Sequence, residues 1–330
     1  MAYTTINKST DHFNTVTYTG NGGTNAITGV GFQPDMVWTK NRSSAQNHLL
    51  YDAVRGIGYY LYPNLTNAQG GSGGSGTFNS FDSDGFTLGS GDDSNVNGEN
   101  GVAWSWKAAN SAGSANTDGT INSTVSVNTT AGFSIVKYTG TGSNATVGHG
   151  LGAVPKWIIV KNLSASGNSW CVYHSGIGNT AAAFLEGTVV PHAHVDYWNN
   201  TSPTSSVFYI GAGTGTNGNG NNLIAYCFAE KTGYSKFGTY VGNQNDDGTF
   251  VYTGFKPALI IVKNTVDSQD WFMYDNRRPG YNYNYYLTAN TAGAEVTSDN
   301  WVDFTSNGFK LRKGQTGTNR SDDTYIYMAF

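Results

Sequence analysis

Short runs of apolar, β-branched and aromatic residues alternate with segments rich in Gly, Ser, Asn and Thr along the whole chain. The clearest example starts at residues 133–138, passes through a glycine-rich turn at residues 139–142, and reaches the apolar run 157–160 just after Pro155. Runs of this composition favour β-strands, and the Gly- and Asn-rich segments between them favour turns. The pattern therefore predicts an all-β protein.

The second of these runs is apolar at every position. In a strand, Ile158 and Val160 would face one side, and Trp157 and Ile159 the other. Because both sets are apolar, we expect a central strand that is covered on both faces. Long helical periodicity is absent, and only residues 181–186 favour a short helix.

The same arrangement occurs three times. In each copy the dipeptide Lys-Asn begins six residues after a proline, at Lys40, Lys161 and Lys263. Each copy continues with a second apolar run and closes on another, at residues 102–106, 224–228 and 326–330. The repeat length of about 100 residues is that of a small domain and is too long for a solenoid.

We therefore predict a fold of three tandem antiparallel β-sandwich domains, similar to jelly rolls. The predicted segments are an N-terminal arm at 1–12, domain 1 at 13–108, a Ser/Asn/Gly-rich linker at 109–132, domain 2 at 133–231 and domain 3 at 232–330. Within the linker, residues 124–127 have the composition of a further strand.

Composition narrows the class of protein. Aromatic residues make up 14% of the chain and charged residues 12%, which is not the composition of a disordered protein. The net charge is −4 and no basic run is present, so nucleic acid is not an expected partner. The sequence shows neither an 18-residue apolar run nor a signal peptide at residues 1–14. Cys171 and Cys227 are interpreted as buried apolar residues, and whether they pair stays open.

Two groups of residues are candidate metal sites. A strand would place His192, His194 and Asp196 on one face, but the other copies have no such triplet. The acidic turn at residues 82–85 resembles a calcium loop, but it lacks the later acidic ligands, and the third copy has Asn307 in place of Asp84. We expect no metal and no cofactor.

The sequence also predicts no enzyme activity, because no nucleophile elbow and no positioned carboxylate pair is recognisable. The three repeated lysines, at the ends of predicted strands, are expected to extend along the strand and reach solvent.

Tyrosines form the candidate contact surface. Tyr combined with Asn suits stacking on sugar rings and protein interfaces, and Tyr also suits packing on a sheet face inside a domain. The candidate residues for contact with a glycan or another subunit are Tyr59, Tyr60, Tyr62, Tyr281, Tyr283, Tyr285 and Tyr286.

The segment 133–162, together with residues 82–93 and 102–108, resembles a module repeated in tail-fibre and related virion proteins of tailed bacteriophages, notably marine and cyanobacterial phages. The resemblance covers all three copies. It implies a virion structural protein, made in the host cytoplasm, that is often trimeric and meets the host, and it carries no catalytic residues.

The leading hypothesis is accordingly a non-enzymatic tail-fibre or host-recognition component. The alternatives are a capsid decoration or head-fibre protein, and a carbohydrate-binding module. The expected partners are other virion proteins, further copies of the chain (a trimer is favoured), and a glycan of the host surface, without membrane insertion.

Overall fold

The computed structural model describes residues 4–74, 76–278, 285–298 and 301–330. The chain is all-β, as the sequence predicted: of the described residues, 40% lie in strands and 3% in helices. We call residues 13–108, 133–231 and 232–330 repeats 1, 2 and 3.

The strands follow the repeats. Repeat 1 contains β1 (Phe13–Thr19), β2 (Asn25–Thr28), β3 (Met36–Asn41), β4 (Leu49–Asp52), β5 (Phe78–Asp82), β6 (Gly85–Leu88) and β7 (Asn100–Trp106). The linker contributes β8 (Ser114–Asn116) and β9 (Ser123–Asn128). Repeat 2 contains β10 (Phe133–Thr139), β11 (Ala145–Gly148), β12 (Trp157–Asn162), β13 (Cys171–His174), β14 (Ala181–Phe184), β15 (His192–Ala193), β16 (Val207–Ile210) and β17 (Asn222–Phe228), with short helices α1 (Val195–Trp198) and α2 (Thr214–Asn217). Repeat 3 contains β18 (Lys236–Val241), β19 (Phe250–Tyr252), β20 (Leu259–Asn264), β21 (Trp271–Asp275), β22 (Leu287–Thr288), β23 (Val302–Thr305), β24 (Gly308–Leu311) and β25 (Thr324–Ala329).

Each repeat has a larger and a smaller antiparallel sheet. The order of strands in the larger sheet is the same in all three repeats. The larger sheets contain β1-β7-β3-β4, β10-β17-β12-β13 and β18-β25-β20-β21. The smaller sheets contain β2-β6-β5, β11-β16 and β19-β24-β23. An apolar cluster in each repeat joins side chains of its two sheets. The linker extends the larger sheet of repeat 2, because β9 pairs with β10 and β8 with β9.

The two faces of β12 have different neighbours. Ile158 and Val160 belong to the cluster within repeat 2. Trp157 and Ile159 belong to a central cluster that contains residues of all three repeats. The prediction that this strand is covered on both faces is confirmed, and the second cover is supplied by the other repeats.

An aromatic triangle lies within the central cluster. Trp106 ends β7, Phe228 ends β17, and Phe330 follows β25, so the three occupy equivalent positions. Their ring centroids are 6.4 Å (Trp106–Phe228), 5.8 Å (Trp106–Phe330) and 5.9 Å (Phe228–Phe330) apart. Nearly equal sides mean that the repeats are arranged around an approximate threefold axis within one polypeptide.

The predicted helix at residues 181–186 is wrong. Ala181–Phe184 forms β14, which pairs with β13 on one side and β15 on the other. Ala182 and Ala183 are fully buried, so sheet pairing and burial outweigh the helix propensity of alanine. No helix among the described residues is long and apolar enough to cross a membrane.

Candidate functional site at the interfaces between repeats

In each repeat, one ring nitrogen lies within hydrogen-bonding distance of a backbone carbonyl of another repeat. Repeat 1 contacts repeat 3 in this way, repeat 2 contacts repeat 1, and repeat 3 contacts repeat 2. The contacts are His48 Nε2 to Thr288 O at 3.1 Å, Trp170 Nε1 to Tyr62 O at 3.0 Å, and Trp271 Nε1 to Phe184 O at 2.8 Å. The three rings precede or begin equivalent strands, and the three carbonyls also occupy equivalent positions. Three different pairs of residues therefore make one contact that is repeated around the axis.

A second set of contacts involves the last residue of β4, β13 and β21, which are the strands that follow the three Lys-Asn dipeptides. Asp52 ends β4 and accepts hydrogen bonds from Arg55 Nε and, across the interface, from Tyr226 Oη at 2.7 Å. Asp275 ends β21 and accepts from Arg278 Nε at 2.6 Å and from Trp104 Nε1 of repeat 1 at 3.0 Å. Both Asp–Arg pairs are almost completely buried.

The third interface lacks this ion pair. Here His174 ends β13, and Ile177 stands where Arg55 and Arg278 stand in the other repeats. Burial of the imidazole lowers the pKa of His174 to about 4, so the ring is neutral at neutral pH. The equivalent of Tyr226 and Trp104 is Met328, which has no N–H or O–H to donate.

The interface between repeats 3 and 1 carries an additional carboxylate. Glu295 bonds Arg42 at 2.8 Å and Arg278 at 2.8 Å, and its side chain is only 5% exposed. Its backbone N–H donates to Arg42 O at 3.0 Å. At the interface between repeats 1 and 2 the same backbone bond joins Gln69 N to Leu163 O at 3.1 Å, without a charge on either side chain.

The three repeated lysines are buried, and the prediction that they reach solvent is wrong. Lys40 and Lys263 each donate to the carbonyl of the following asparagine, at 2.7 and 2.8 Å. They also donate across an interface, to Ala292 O at 3.2 Å and to Thr188 O at 3.0 Å, respectively. Lys161 donates to a carbonyl of its own repeat and lies over the ring of Trp170.

Desolvation lowers the pKa of each of these lysines to about 8. Each therefore remains largely protonated at neutral pH, and its ammonium group donates to backbone oxygens instead of water. The lysines act as connectors at the strand ends, and two of them join neighbouring repeats.

The predicted tyrosines divide into packed and cleft-lining residues. Tyr60 and Tyr62 are in edge contact at 5.2 Å and pack against the cluster of repeat 1. Tyr286, which occupies the position of Tyr60 in repeat 3, stacks on Trp301 at 4.7 Å. Tyr285 is partly buried, whereas Tyr281 and Tyr283 lie outside the described residues.

Two clefts border tyrosines of repeat 1. The first, of about 370 Å³, lies between repeats 1 and 2 and is lined by Arg55, Tyr59, Gln69, Lys137, Leu163, Ser164 and Asn222. The second, of about 290 Å³, lies between Tyr60 and the glycine-rich residues 71–74 and Gly76. Both present hydroxyl, amide or backbone groups beside an aromatic ring, which suits a sugar.

The candidate metal ligands form local contacts. β15 ends at Ala193 and α1 starts at Val195, so the predicted strand through Asp196 is wrong, and His194 instead caps α1 through its Nδ1. Both carboxylate oxygens of Asp84 accept from the backbone N–H groups of Gly29 and Gly31. The described residues contain no group of three His, Cys, Asp or Glu side chains placed to bind a metal.

Cys171 and Cys227 are free and buried on β13 and β17 of repeat 2, and β12 lies between these two strands. Burial raises the pKa of Cys171 to about 12 and also raises that of Cys227. Neither thiol is a reactive thiolate at neutral pH, and the open question of their pairing is answered by the absence of a disulfide between them.

Comparison with known protein families gives a match that spans the three repeats. A family model described as "Domain of unknown function (DUF7483)" matches residues 8–330. The chain belongs to the DUF7483 family. The match includes all three repeats, so the DUF7483 domain corresponds to the three repeats together and not to a single repeat. Comparisons with curated proteins and with solved structures give no match.

The interface residues of this DUF7483 domain were not recognisable as such in the sequence. Asp52 and Asp275 stand at equivalent positions with an arginine three residues later in both copies, and this spacing is the one signal that was available. The second copy interrupts that signal with His174 and Ile177. The partners Tyr226 and Trp104 differ from each other and are more than 170 positions away from the carboxylates that they bond, so local pattern analysis cannot connect them.

Proposed function

We propose that this DUF7483 chain is a non-enzymatic structural protein of a tailed-bacteriophage virion, most simply a tail-fibre or host-recognition component. In this proposal the repeats are three tandem β-sandwiches of jelly-roll type. The single observation that supports it best is the shared central cluster with its cyclic contacts. A virion projection has to be rigid, and three units with one core resist separation more strongly than units joined by linkers alone.

The approximate threefold axis bears on the oligomeric state. A trimeric virion protein usually obtains its threefold symmetry from three chains, whereas this chain has a threefold arrangement of its own repeats. We propose that one chain, or a trimer of chains, is located on a symmetry axis of the particle. Its partners are other virion proteins.

The clefts beside the tyrosines favour a second, compatible activity, the binding of a host-surface glycan. Tyr59 offers an aromatic face, Lys137 and Asn222 offer polar groups, and the cleft volume of about 370 Å³ suits a small saccharide. Replacing Tyr59 by alanine is expected to abolish a signal on a glycan array. Phe250→Ala, far from the cleft, is the control.

The location is tested by cryo-electron microscopy of intact particles at a resolution that traces the chain. Density at the tail would support host recognition, and normal adsorption of particles that lack the protein would contradict it. Density on the capsid shell would instead identify a decoration or head-fibre protein. Release of sugar from host envelope by the purified chain would refute the non-enzymatic proposal.

A further inference from the structure

The linker closes one side of repeat 2. β9 pairs with β10 along its length, with Val125 opposite Val136 and Thr124 opposite Lys137. Further back along the linker, Ile121 N donates to Thr146 O of β11 at 3.0 Å. One extended segment therefore covers the outer edges of both sheets of the repeat, and Val125 joins the apolar cluster between them.

The same side of repeat 3 is open in the described structure. β18 pairs only with β25, and β19 only with β24, so each is the last strand of its sheet. Three large apolar side chains on these strands are exposed: Val241 by 52%, Phe250 by 46% and Tyr252 by 59%. An apolar sheet edge with unpaired backbone groups readily adds another strand.

Repeat 1 shows that this apolar edge is not a requirement of the fold. Its edge strands β1 and β2 are also the last strands of their sheets. At the positions of Val241, Phe250 and Tyr252 it carries Thr19, Ala26 and Thr28, which are small or polar. The exposed apolar residues are therefore particular to repeat 3, and they mark this side as a contact surface.

We infer that the open side of repeat 3 binds an extended, uncharged segment of a partner protein, which adds as an antiparallel strand to β18 and covers Phe250 and Tyr252. The occupant of the equivalent edge defines its chemistry, because β9 has the sequence Ser-Thr-Val-Ser-Val-Asn, without a charge. The segment comes from another protein, because the linker of a second copy of this chain already pairs with its own β10.

The equivalence also fixes the register. Gly238 of β18 stands at the position of Val136, and Thr239 at that of Lys137. A donor segment therefore places its apolar residue opposite Gly238, where the ring and hydroxyl of Tyr327 occupy the space that a side chain would take, so the donor residue lies beside an aromatic ring. The next donor residue pairs with Thr239.

The probe is a synthetic peptide of linker residues 119–129, with a fluorescent label, titrated with the intact chain. We expect saturable binding below about 1 mM peptide, a limit that corresponds to about −4 kcal/mol. Hydrogen exchange should slow in residues 236–241 and 250–252 and stay unchanged in β10. The intact linker outcompetes the free peptide at β10 because it is held there at a high effective concentration.

The variant Phe250→Ala/Tyr252→Thr copies the side chains of repeat 1 and should weaken the peptide at least tenfold. Both residues are exposed, so folding should be unaffected. The matched control is Thr28→Ser on the open side of repeat 1, which should bind as the wild type does. A peptide with Val125→Pro should fail, because proline lacks the N–H of a paired strand and cannot adopt its geometry freely.

Two results would overturn the inference. The first is absence of saturable binding up to about 1 mM, or binding that the double variant leaves unchanged. The second is a dimer of the chain in analytical ultracentrifugation that the double variant abolishes, because the surface would then pair with a second copy and not with a different protein.

Discussion

The interface between repeats 3 and 1 and the interface between repeats 1 and 2 have the same backbone contacts but different charges. Both have a buried Asp–Arg pair that accepts a hydrogen bond from the neighbouring repeat. At the first interface Glu295 lies between Arg278 and Arg42. At the second, Gln69 and Leu163 occupy the positions of Glu295 and Arg42, and Arg55 Nη1 and Gln69 Oε1 are buried without a hydrogen bond.

The difference shows how a repeated interface can diverge without losing its geometry. Leu163 and Gln69 replace a cation and an anion together, so the difference leaves the net charge of the interface unchanged. A buried charge is expensive unless it is paired, so replacement of one partner alone would be strongly destabilising. The two interfaces share the backbone hydrogen bond between these positions, whereas the charged side chains differ in pairs.

The largest expected effect is from Glu295→Gln, which leaves Arg42 and part of Arg278 without a carboxylate. We expect a loss of about 3–5 kcal/mol in the free energy of unfolding, measured by guanidinium denaturation. Gln69→Ala at the other interface is the control and should cost no more than about 1 kcal/mol. Similar losses for both variants would contradict the comparison.

The double variant Arg42→Leu/Glu295→Gln transfers the uncharged set to the interface between repeats 3 and 1. Removing both charges avoids an unpaired, partly buried Arg42, so the double variant should be more stable than the sum of the single losses by about 1–3 kcal/mol. Strictly additive losses in this double-mutant cycle would show that the two residues are not coupled.

Tyr226→Phe removes only the hydroxyl that bonds Asp52 across the interface. We expect a loss of about 1–2 kcal/mol, because the carboxylate keeps Arg55 but lacks one donor. Tyr252→Phe, on an exposed side chain, is the matched control with no expected change. Equal stability of both variants would mean that the hydrogen bond contributes nothing to docking.

The interface between repeats 2 and 3 should add a dependence on acid. The folded pKa of His174 is about 4, below its ordinary value of 6.5, so the unfolded chain takes up a proton first as the pH falls below 6.5. Stability is lost in the window from 6.5 to 4, by about 1 kcal/mol at pH 5.5. His48 titrates in the same direction, so the contribution of His174 is the difference between wild type and His174→Gln. A constant difference between pH 7 and pH 5 would contradict it.

The sequence predicted the strands better than their surroundings. The repeated Pro-to-Lys-Asn spacing located β3, β12 and β20, and the linker strand predicted at 124–127 is β9. Because both faces of β12 are apolar, the sequence correctly predicted that other residues pack against both faces. A local pattern carries no information on what supplies the cover, so the central cluster could not be anticipated.

The lysines and tyrosines show the same limit. A lysine at a strand end reaches solvent when the strand ends at the surface, but here a second repeat covers that end, and Lys263 donates to Thr188 O of its neighbour. For the tyrosines, half-buried packing is observed at Tyr60 and Tyr286, and contact with a glycan or another subunit stays a prediction.

The central claim is that three repeats with one shared core form one cooperative unit. The most direct measurement is guanidinium unfolding of the intact chain, followed by both tryptophan fluorescence and far-ultraviolet circular dichroism. We predict a single transition that coincides for the two probes, and that shifts as a whole in both Glu295→Gln and Tyr226→Phe. Two or three separable transitions, of which each variant moves only one, would contradict it and would mean independently stable repeats.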